Sequence, residues 1–238
     1  MRKEIRNKRA RWFRALKCCM RLVKKRPKFV YFGGQIKEGS LILSNHEGTS
    51  APLAFELYLN EPFRLWGAWQ MNSNLFQLYK YQTKEYYHDK KHWNLFGARM
   101  FCLIASPLTW IFYRGLKLIS TYKDTRFRNT IKESVETIKN KQSVVIYPED
   151  STNGYLPVLE GLHAGFVVFA NACKKQGIDL PIYLTYYKKK ENVYIIDKPV
   201  MYSTLAHLGK EEICKILLAR INKLPTIYDK MNKTTESK

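Results

Sequence analysis

The chain has 238 residues, enough for one large domain, and its 45% hydrophobic content excludes a largely disordered protein. Its formal net charge of +21 predicts a polyanionic partner: an anionic membrane, nucleic acid or an acidic carrier protein. The five cysteines are an odd number without metal-ligand spacing, so we expect reduced thiols and no metal site.

Residues 1–27 predict a basic amphipathic helix. Residues 1–28 contain thirteen Lys or Arg against one acid, and apolar side chains recur between the charges at helical spacing. Dense positive charge opposite Trp12 and Phe13 favours docking in the plane of an anionic membrane. The alternative is a helix that packs on the domain and keeps a solvated basic face. No cleavage site follows, so a secretory signal is not expected.

The loop after the predicted strand 41–44 contains the candidate catalytic residue His46. Asn45 and His46 come directly after this strand and before a predicted helix over residues 52–59. In open α/β sheets, function gathers just beyond the carboxyl ends of strands. A histidine there can act as a general base near neutral pH, although a lone histidine more commonly caps a helix or binds a loop carbonyl.

The longest apolar run covers residues 100–113, is bounded by Arg99 and Arg114, and is interrupted by Pro107. A straight helix that spans a bilayer needs about 20 residues. We therefore expect a buried or interfacial helix, or a re-entrant segment, at this place.

The loop after the predicted strand 144–147 carries two consecutive carboxylates. Glu149 and Asp150 are followed directly by the hydroxyl of Ser151, and together they form a polar cluster in an apolar neighbourhood. This loop and the His46 loop both follow predicted strands, so they are expected at the same edge of a sheet. The alternative is a solvated loop in which Asp150 or Ser151 caps a turn.

Short apolar runs alternate with helical patterns along the rest of the chain. Further strands are predicted over residues 28–32, 180–186 and 193–197, and further helices over residues 126–141, 159–174 and 211–221. The polar residues 229–238 predict a disordered tail, and residues 60–95 have no clean period. The alternation predicts an α/β fold, with one domain over residues 28–228 whose mostly parallel or mixed sheet is flanked by helices.

The two loops resemble motifs of the glycerolipid (lysophosphatidate-type) acyltransferase family. The first family motif is Asn-His, four arbitrary residues, then Asp-Pro; residues 45–52 read Asn-His-Glu-Gly-Thr-Ser-Ala-Pro. The third is Phe-Pro-Glu-Gly-Thr, and residues 147–151 read Tyr-Pro-Glu-Asp-Ser. Looser matches to the second and fourth motifs lie at residues 119–123 and 180–184. The four motifs occur in the family's order over about residues 28–200.

The resemblance implies transfer of an acyl group from an activated donor to a hydroxyl of a lysophospholipid or similar lipid acceptor. His46 would be the base that removes the hydroxyl proton. Asn45, Lys123, Glu149 and Ser151 would bind the acceptor. No bound cofactor is implied, and the donor would be acyl-CoA, acyl carrier protein or an acyl phosphate.

The resemblance and the basic helix together predict a peripheral protein on the cytoplasmic face of the cell membrane. Its expected partners are the anionic membrane surface, the lipid acceptor and, as a donor, acyl carrier protein. Nucleic acid is not an expected partner, because the chain shows no recognised nucleic-acid module and its basic residues share a helix with Trp12 and Phe13.

The chain departs from the family where the family has its catalytic aspartate. Ala51 stands at that position, so the carboxylate that orients the imidazole is missing. Glu56 lies ~15 Å farther along a continuous helix, too far to replace it. Glu149 matches the family's own acid, which makes Asp150, in place of the family's glycine, the candidate that orients His46.

Asp150 also adds a negative charge where the family binds a phosphate. Two unit charges ~4 Å apart repel by about 4 kcal/mol at an effective dielectric constant near 20. A neutral or cationic acceptor is therefore expected as much as lysophosphatidate. The alternative function is that of a catalytically inactive, membrane-associated binder of lipid or acyl carrier on the same fold.

Overall fold

The computed structural model describes residues 9–152 and 154–236. The strands are β1 (Lys28–Tyr31), β2 (Leu41–Ser44), β3 (Phe63–Ala68), β4 (Ile119–Thr121), β5 (Ser143–Ile146), β6 (Pro181–Lys188), β7 (Val193–Ile196) and β8 (Val200–Met201). The α-helices are α1 (Arg11–Val23), α2 (Ser50–Tyr58), α3 (Leu75–Tyr81), α4 (Leu95–Leu116), α5 (Phe127–Lys139), α6 (Gly165–Lys174), α7 (Tyr202–Leu205) and α8 (Lys210–Glu236). A 3-10 turn (Trp69–Asn72) precedes α3, and a π-helix (Gln82–Lys90) follows it.

The strands form one mixed sheet, which confirms the predicted α/β class. Their order is β1-β7-β6-β2-β5-β3-β4, with β8 paired to β6. The central strand β2 runs parallel to both β5 and β6, and β3 and β4 continue the parallel part. The strands β7 and β8 pair antiparallel with β6, and β1 pairs parallel with β7. The carboxyl ends of β2, β3, β4, β5 and β6 therefore lie along one edge of the sheet.

The side chains of β2 alternate between two cores, one on each face of the sheet. Leu41 and Leu43 point into the core that α5, α6 and α8 cover, whereas Ile42 points into the core that α1, α2 and the end of α4 cover. The chain leaves β2 toward α2 on one face and leaves β5 toward α6 on the other. The two loops part in this way at the carboxyl ends of β2 and β5, where α/β sheets commonly bind ligands, and we call the region between these loops the crevice.

The helix α1 packs on the domain and helps to complete the second core. Phe13 is fully buried, and its ring fills the space beside Gly115 so closely that an added Cβ there would lie 1.9 Å from Cδ2. Arg9 and Lys17 approach the buried carboxylate of Glu56 at 2.8 and 3.0 Å. The packed helix that was the alternative interpretation is thus found, and docking of α1 to a membrane stays a prediction. Residues 1–8 lie outside the described part.

The helix predicted over residues 159–174 begins later, at Gly165. The preceding residues are not helical, and a bridge between Glu149 and Leu162 pairs them with the loop after β5. The apolar pattern of this segment thus belongs to a loop that packs on the sheet edge, where backbone pairing replaces a first helical turn.

The predicted disordered tail does not begin at residue 229, because α8 continues to Glu236. Tyr228 is buried in the first core, and Asp229 forms an ion pair with Lys188 at 2.5 Å. The tertiary contacts of these two residues stabilise the end of α8 as a helix, although the composition of this segment is polar. Residues 237–238 lie outside the described part of the chain.

We expect Phe13→Ala to lower the free energy of unfolding by about 3–5 kcal/mol, because it removes a buried aromatic ring and leaves a cavity beside Gly115. Urea denaturation measures this change. The matched control is Trp12→Ala, on the same helix but 47% exposed, which should cost about 1 kcal/mol or less. Equal effects of the two substitutions would show that α1 is not part of the core.

Candidate active site

His46 follows β2 in a turn with two left-handed residues. Glu47 has a φ of 45° and Gly48 a φ of 65°. The Ser50 N–H donates to the Glu47 carbonyl at 3.3 Å, and α2 begins at once. A non-glycine residue with positive φ is uncommon and is found often at functional sites. The turn brings the chain from strand to helix in a few residues and leaves the His46 ring against the loop after β5.

Asn45 fixes the end of β2 that carries His46. Its side chain is buried, its Nδ2 donates to the Tyr187 carbonyl at 3.2 Å, and its Oδ1 accepts from the Tyr187 N–H at 2.7 Å. The amide thus extends the parallel pairing of β2 with β6 by one residue. Both polar ends of the side chain thus have partners inside the protein, which gives Asn45 a structural role, and its substrate-binding role stays a prediction.

Glu149 joins the loops after β2 and β5. Its Oε2 accepts a hydrogen bond from the His46 N–H at 2.8 Å, and the residue is 7% exposed. Burial raises the pKa of Glu149, while the backbone N–H groups of His46 and Leu156 oppose this rise. The bond that the structure gives Glu149 is one that positions His46, and the role of Glu149 in binding the acceptor stays a prediction.

The imidazole of His46 lies between two tyrosine rings. It stacks on Tyr155, with ring centroids 4.9 Å apart and an interplanar angle of 22°, and meets Tyr147 edge-on at 5.1 Å. Its Nδ1 is buried and has no hydrogen-bond partner among the described residues. In a catalytic triad a carboxylate binds this nitrogen of the histidine, and at position 51 the chain has Ala51, which offers none.

The imidazole of His46 is neutral at pH 7. The pKa of His46 is lowered to about 4, chiefly by burial and also by the positive charges of Lys90 and Lys91, while a backbone hydrogen bond at Gly48 opposes the change. A neutral imidazole is in the protonation state that accepts a proton. Its low pKa makes it a weak base in the absence of a bound ligand.

Asp150 does not orient this imidazole, and the prediction that it replaces the missing aspartate is corrected. Its Oδ1 accepts from the Thr152 N–H at 3.1 Å and from the Thr152 hydroxyl at 2.6 Å, and these bonds lower the pKa of Asp150. Its own N–H donates to the Gly161 carbonyl at 3.0 Å. The exposed carboxylate closes a local turn of the kind that aspartate side chains commonly form.

Lys90 and Lys91, which sequence reasoning missed, complete the site. The Lys90 Nζ donates to the Ser151 hydroxyl at 3.0 Å, and the Lys91 Nζ lies 5.5 Å from the centroid of the Tyr155 ring. Burial and the nearby charge of Lys123 lower the pKa of Lys90. The predicted residues Ser151 and Lys123 are thus brought together by Lys90. We call Lys90, Lys91 and Lys123 the lysine cluster.

The end of the π-helix positions Lys90 and the next residue, Lys91, at the crevice. Its buried Gln82 is fixed to α4, donating to the Thr109 hydroxyl at 2.8 Å and accepting from the Ser106 hydroxyl at 2.7 Å. π-helical turns occur frequently at functional sites. The only sequence signal was a pair of basic residues within the aperiodic stretch 60–95.

Acid should destabilise the protein partly through His46. Since the pKa of His46 falls from 6.5 to about 4 on folding, the unfolded chain binds a proton that the folded chain does not, and stability is lost as the pH falls through this window. We expect His46→Gln to lose less free energy of unfolding than the wild type between about pH 7 and pH 4.5, measured by urea denaturation.

The matched control for this measurement is His207→Gln, at an exposed position after α7. It should lose as much free energy of unfolding as the wild type does over the same pH interval. If His46→Gln behaves like this control, His46 is not held neutral by burial.

Among the described residues, no group of three or more His, Cys, Asp or Glu side chains is arranged to hold a metal ion. Comparison with known proteins finds no family model that matches the chain and no matching curated protein. The expected acyltransferase activity therefore rests on the order of the motifs in the sequence and on the geometry of the site.

Proposed function

We propose that the protein transfers an acyl group from an activated donor to a hydroxyl of a lysophospholipid or similar lipid acceptor. The observation that supports this best is the neutral imidazole of His46 at the carboxyl end of the central parallel strand, tied to the second loop by Glu149 and flanked by Lys90 and Lys91. A base and a cationic cluster in one crevice suit a reaction between an acyl donor and an acidic lipid.

In this reaction, His46 removes the proton of the acceptor hydroxyl as its oxygen attacks the acyl carbonyl carbon. The new ester bond forms, the bond from the carbonyl carbon to the donor's sulfur or phosphate oxygen breaks, and the proton passes from the imidazole to the leaving group. The stacking of Tyr155 on the ring and the Glu149 bond to the backbone limit the positions that His46 can adopt. These contacts take over part of the orientation that an aspartate supplies in the family.

The lysine cluster favours a phosphate-bearing lipid as the acceptor. Burial and the positive charge of Lys123 lower the pKa of Lys90, and a bound anion would favour the charged form of Lys90. One lysine ~4 Å from a phosphate oxygen contributes about 4 kcal/mol of attraction per unit charge at an effective dielectric constant near 20. Asp150, whose charge suggested a neutral or cationic acceptor, keeps that charge, and its carboxylate accepts hydrogen bonds from Thr152.

A binder without catalytic activity is the second candidate, and the unpartnered Nδ1 of His46 is the observation that favours it. Without a carboxylate on this nitrogen, an imidazolium formed during the reaction is not stabilised as it is in a triad that has its aspartate. Such a protein would keep the crevice and the lysine cluster and would bind the lipid without turning it over.

We expect His46→Ala to lower acyl transfer at least about 100-fold, because it removes the base. The assay uses the purified protein with lysophosphatidate and, in separate reactions, acyl-CoA, acyl carrier protein loaded with an acyl group, and an acyl phosphate. His207→Ala is the matched control and should retain full activity, and circular dichroism checks the fold of both variants. Lysophosphatidate binding without turnover by the wild type, with every donor, would instead establish the inactive binder.

We expect Lys90→Met to raise the KM for lysophosphatidate about tenfold, equal to ~1.4 kcal/mol, because it removes one charge near the acceptor phosphate. The KM for monoacylglycerol should change less than about twofold, since this acceptor has no phosphate. The matched control is Lys84→Met, which removes an exposed lysine from the same π-helix. An equal rise for both acceptors would place Lys90 outside the acceptor phosphate site.

A further inference from the structure

The helix α4 exposes its apolar side chains. Six large ones lie on one stripe at helical spacing with between 47% and 75% of their surface exposed: Phe96, Met100, Leu103, Ile104, Leu108 and Ile111. Exposed apolar patches of this extent on a soluble protein mark an interaction surface. We call these six residues the α4 apolar face.

The opposite side of α4 is more polar, and it is this side that the domain buries. Ala98, Cys102 and Ser106 are buried, and Ser106 and Thr109 bind Gln82 of the π-helix. A surface helix of a soluble protein normally turns its apolar stripe toward the core. The orientation of α4 is the reverse, so its apolar face requires an apolar partner that the described chain does not provide.

Length and composition make α4 the one described helix able to cross a membrane, and only 17% of its most apolar window is buried. Two observations favour a position in the plane of the bilayer. The polar side of α4 is fixed to the π-helix of the same domain. Between Arg99 and Arg114 the helix rises only ~22 Å, at 1.5 Å per residue, which is less than the ~30 Å thickness of a hydrocarbon core.

Cationic and aromatic side chains border the α4 apolar face. Arg99 and Arg114 are exposed at its two ends, and the Arg114 guanidinium lies 3.9 Å from the centroid of the Trp110 ring. At the second end, α1 packs through Phe13 on Gly115 and brings the half-exposed Trp12. Apolar residues bordered by tryptophan and basic residues are typical of helices that lie at a lipid headgroup boundary.

We infer that the α4 apolar face docks in the plane of an anionic bilayer, with Arg99, Arg114 and the basic residues of α1 at the headgroups. A second copy of the chain suits this face less well, because two molecules of net charge +21 repel each other. The inference rests on the proposed function for its biological purpose, the delivery of a lipid acceptor to His46. It assigns the main apolar contact to α4, where the sequence had suggested the N-terminal helix.

Vesicle binding tests the inference independently of catalysis. The double variant Ile104→Glu with Leu108→Glu should lower the partition coefficient for vesicles of phosphatidylcholine with about one third phosphatidylglycerol by at least about tenfold. The matched control is Ile216→Glu with Ile227→Glu, both 42% exposed on α8, which changes the net charge equally. This control should bind within about twofold of the wild type. His46→Ala should bind as the wild type does, which separates docking from activity.

A fluorophore measures the depth of the same face in a second experiment. It is attached to Ile104→Cys, after the exposed Cys18 and Cys19 are changed to Ser, and should be quenched by lipids with brominated acyl chains. The same label at Ile216→Cys should not be quenched. Unchanged vesicle binding of the α4 double variant, or equal quenching at both positions, would overturn the inference. So would a lipid-free dimer that the double variant converts to a monomer, because a second copy would then cover the face.

Discussion

The hydrogen bond from the His46 N–H to the Glu149 carboxylate holds together two loops that the topology of the sheet drives apart. The chain turns from β2 toward α2 on one face and from β5 toward α6 on the other. Beyond the end of the β2–β5 ladder, this buried side chain supplies a connection between the two loops. The carboxylate is costly to bury, and bonds to backbone N–H groups offset that cost.

Prediction from the sequence succeeded where burial alone decides the structure. Both faces of β2 and β5 are covered by other elements, so each strand is a continuous run of buried residues that can be recognised as a strand in the sequence. In β3 only Phe63 and Leu65 are buried, while Arg64 reaches Glu133 and Trp66 reaches Ser134. A strand whose partners are polar side chains far along the chain shows no period, which is why this strand could not be predicted.

The residues of the site were predicted less well than the fold. His46 and Glu149 follow buried strands, and their positions are determined by the ends of those strands. The carboxylate of Asp150 binds Thr152, two residues away. An aspartate that closes a local turn and one that reaches a histidine ring on another loop look the same in the sequence, so the partner of Asp150 could not be predicted. Lys90 and Lys91 reach the crevice only because Gln82 anchors a π-helix to α4, which is a tertiary effect.

The π-helix makes the position of the lysine cluster depend on how many residues the segment contains as much as on which residues they are. A π-helical stretch holds more residues per turn than an α-helix with the same ends. Removing one residue between Gln82 and Lys90 would change the angle about the helix axis between the anchored Gln82 side chain and Lys90. Substitutions along this segment can therefore be neutral, whereas a change in its length would carry the charge of Lys90 away from the imidazole.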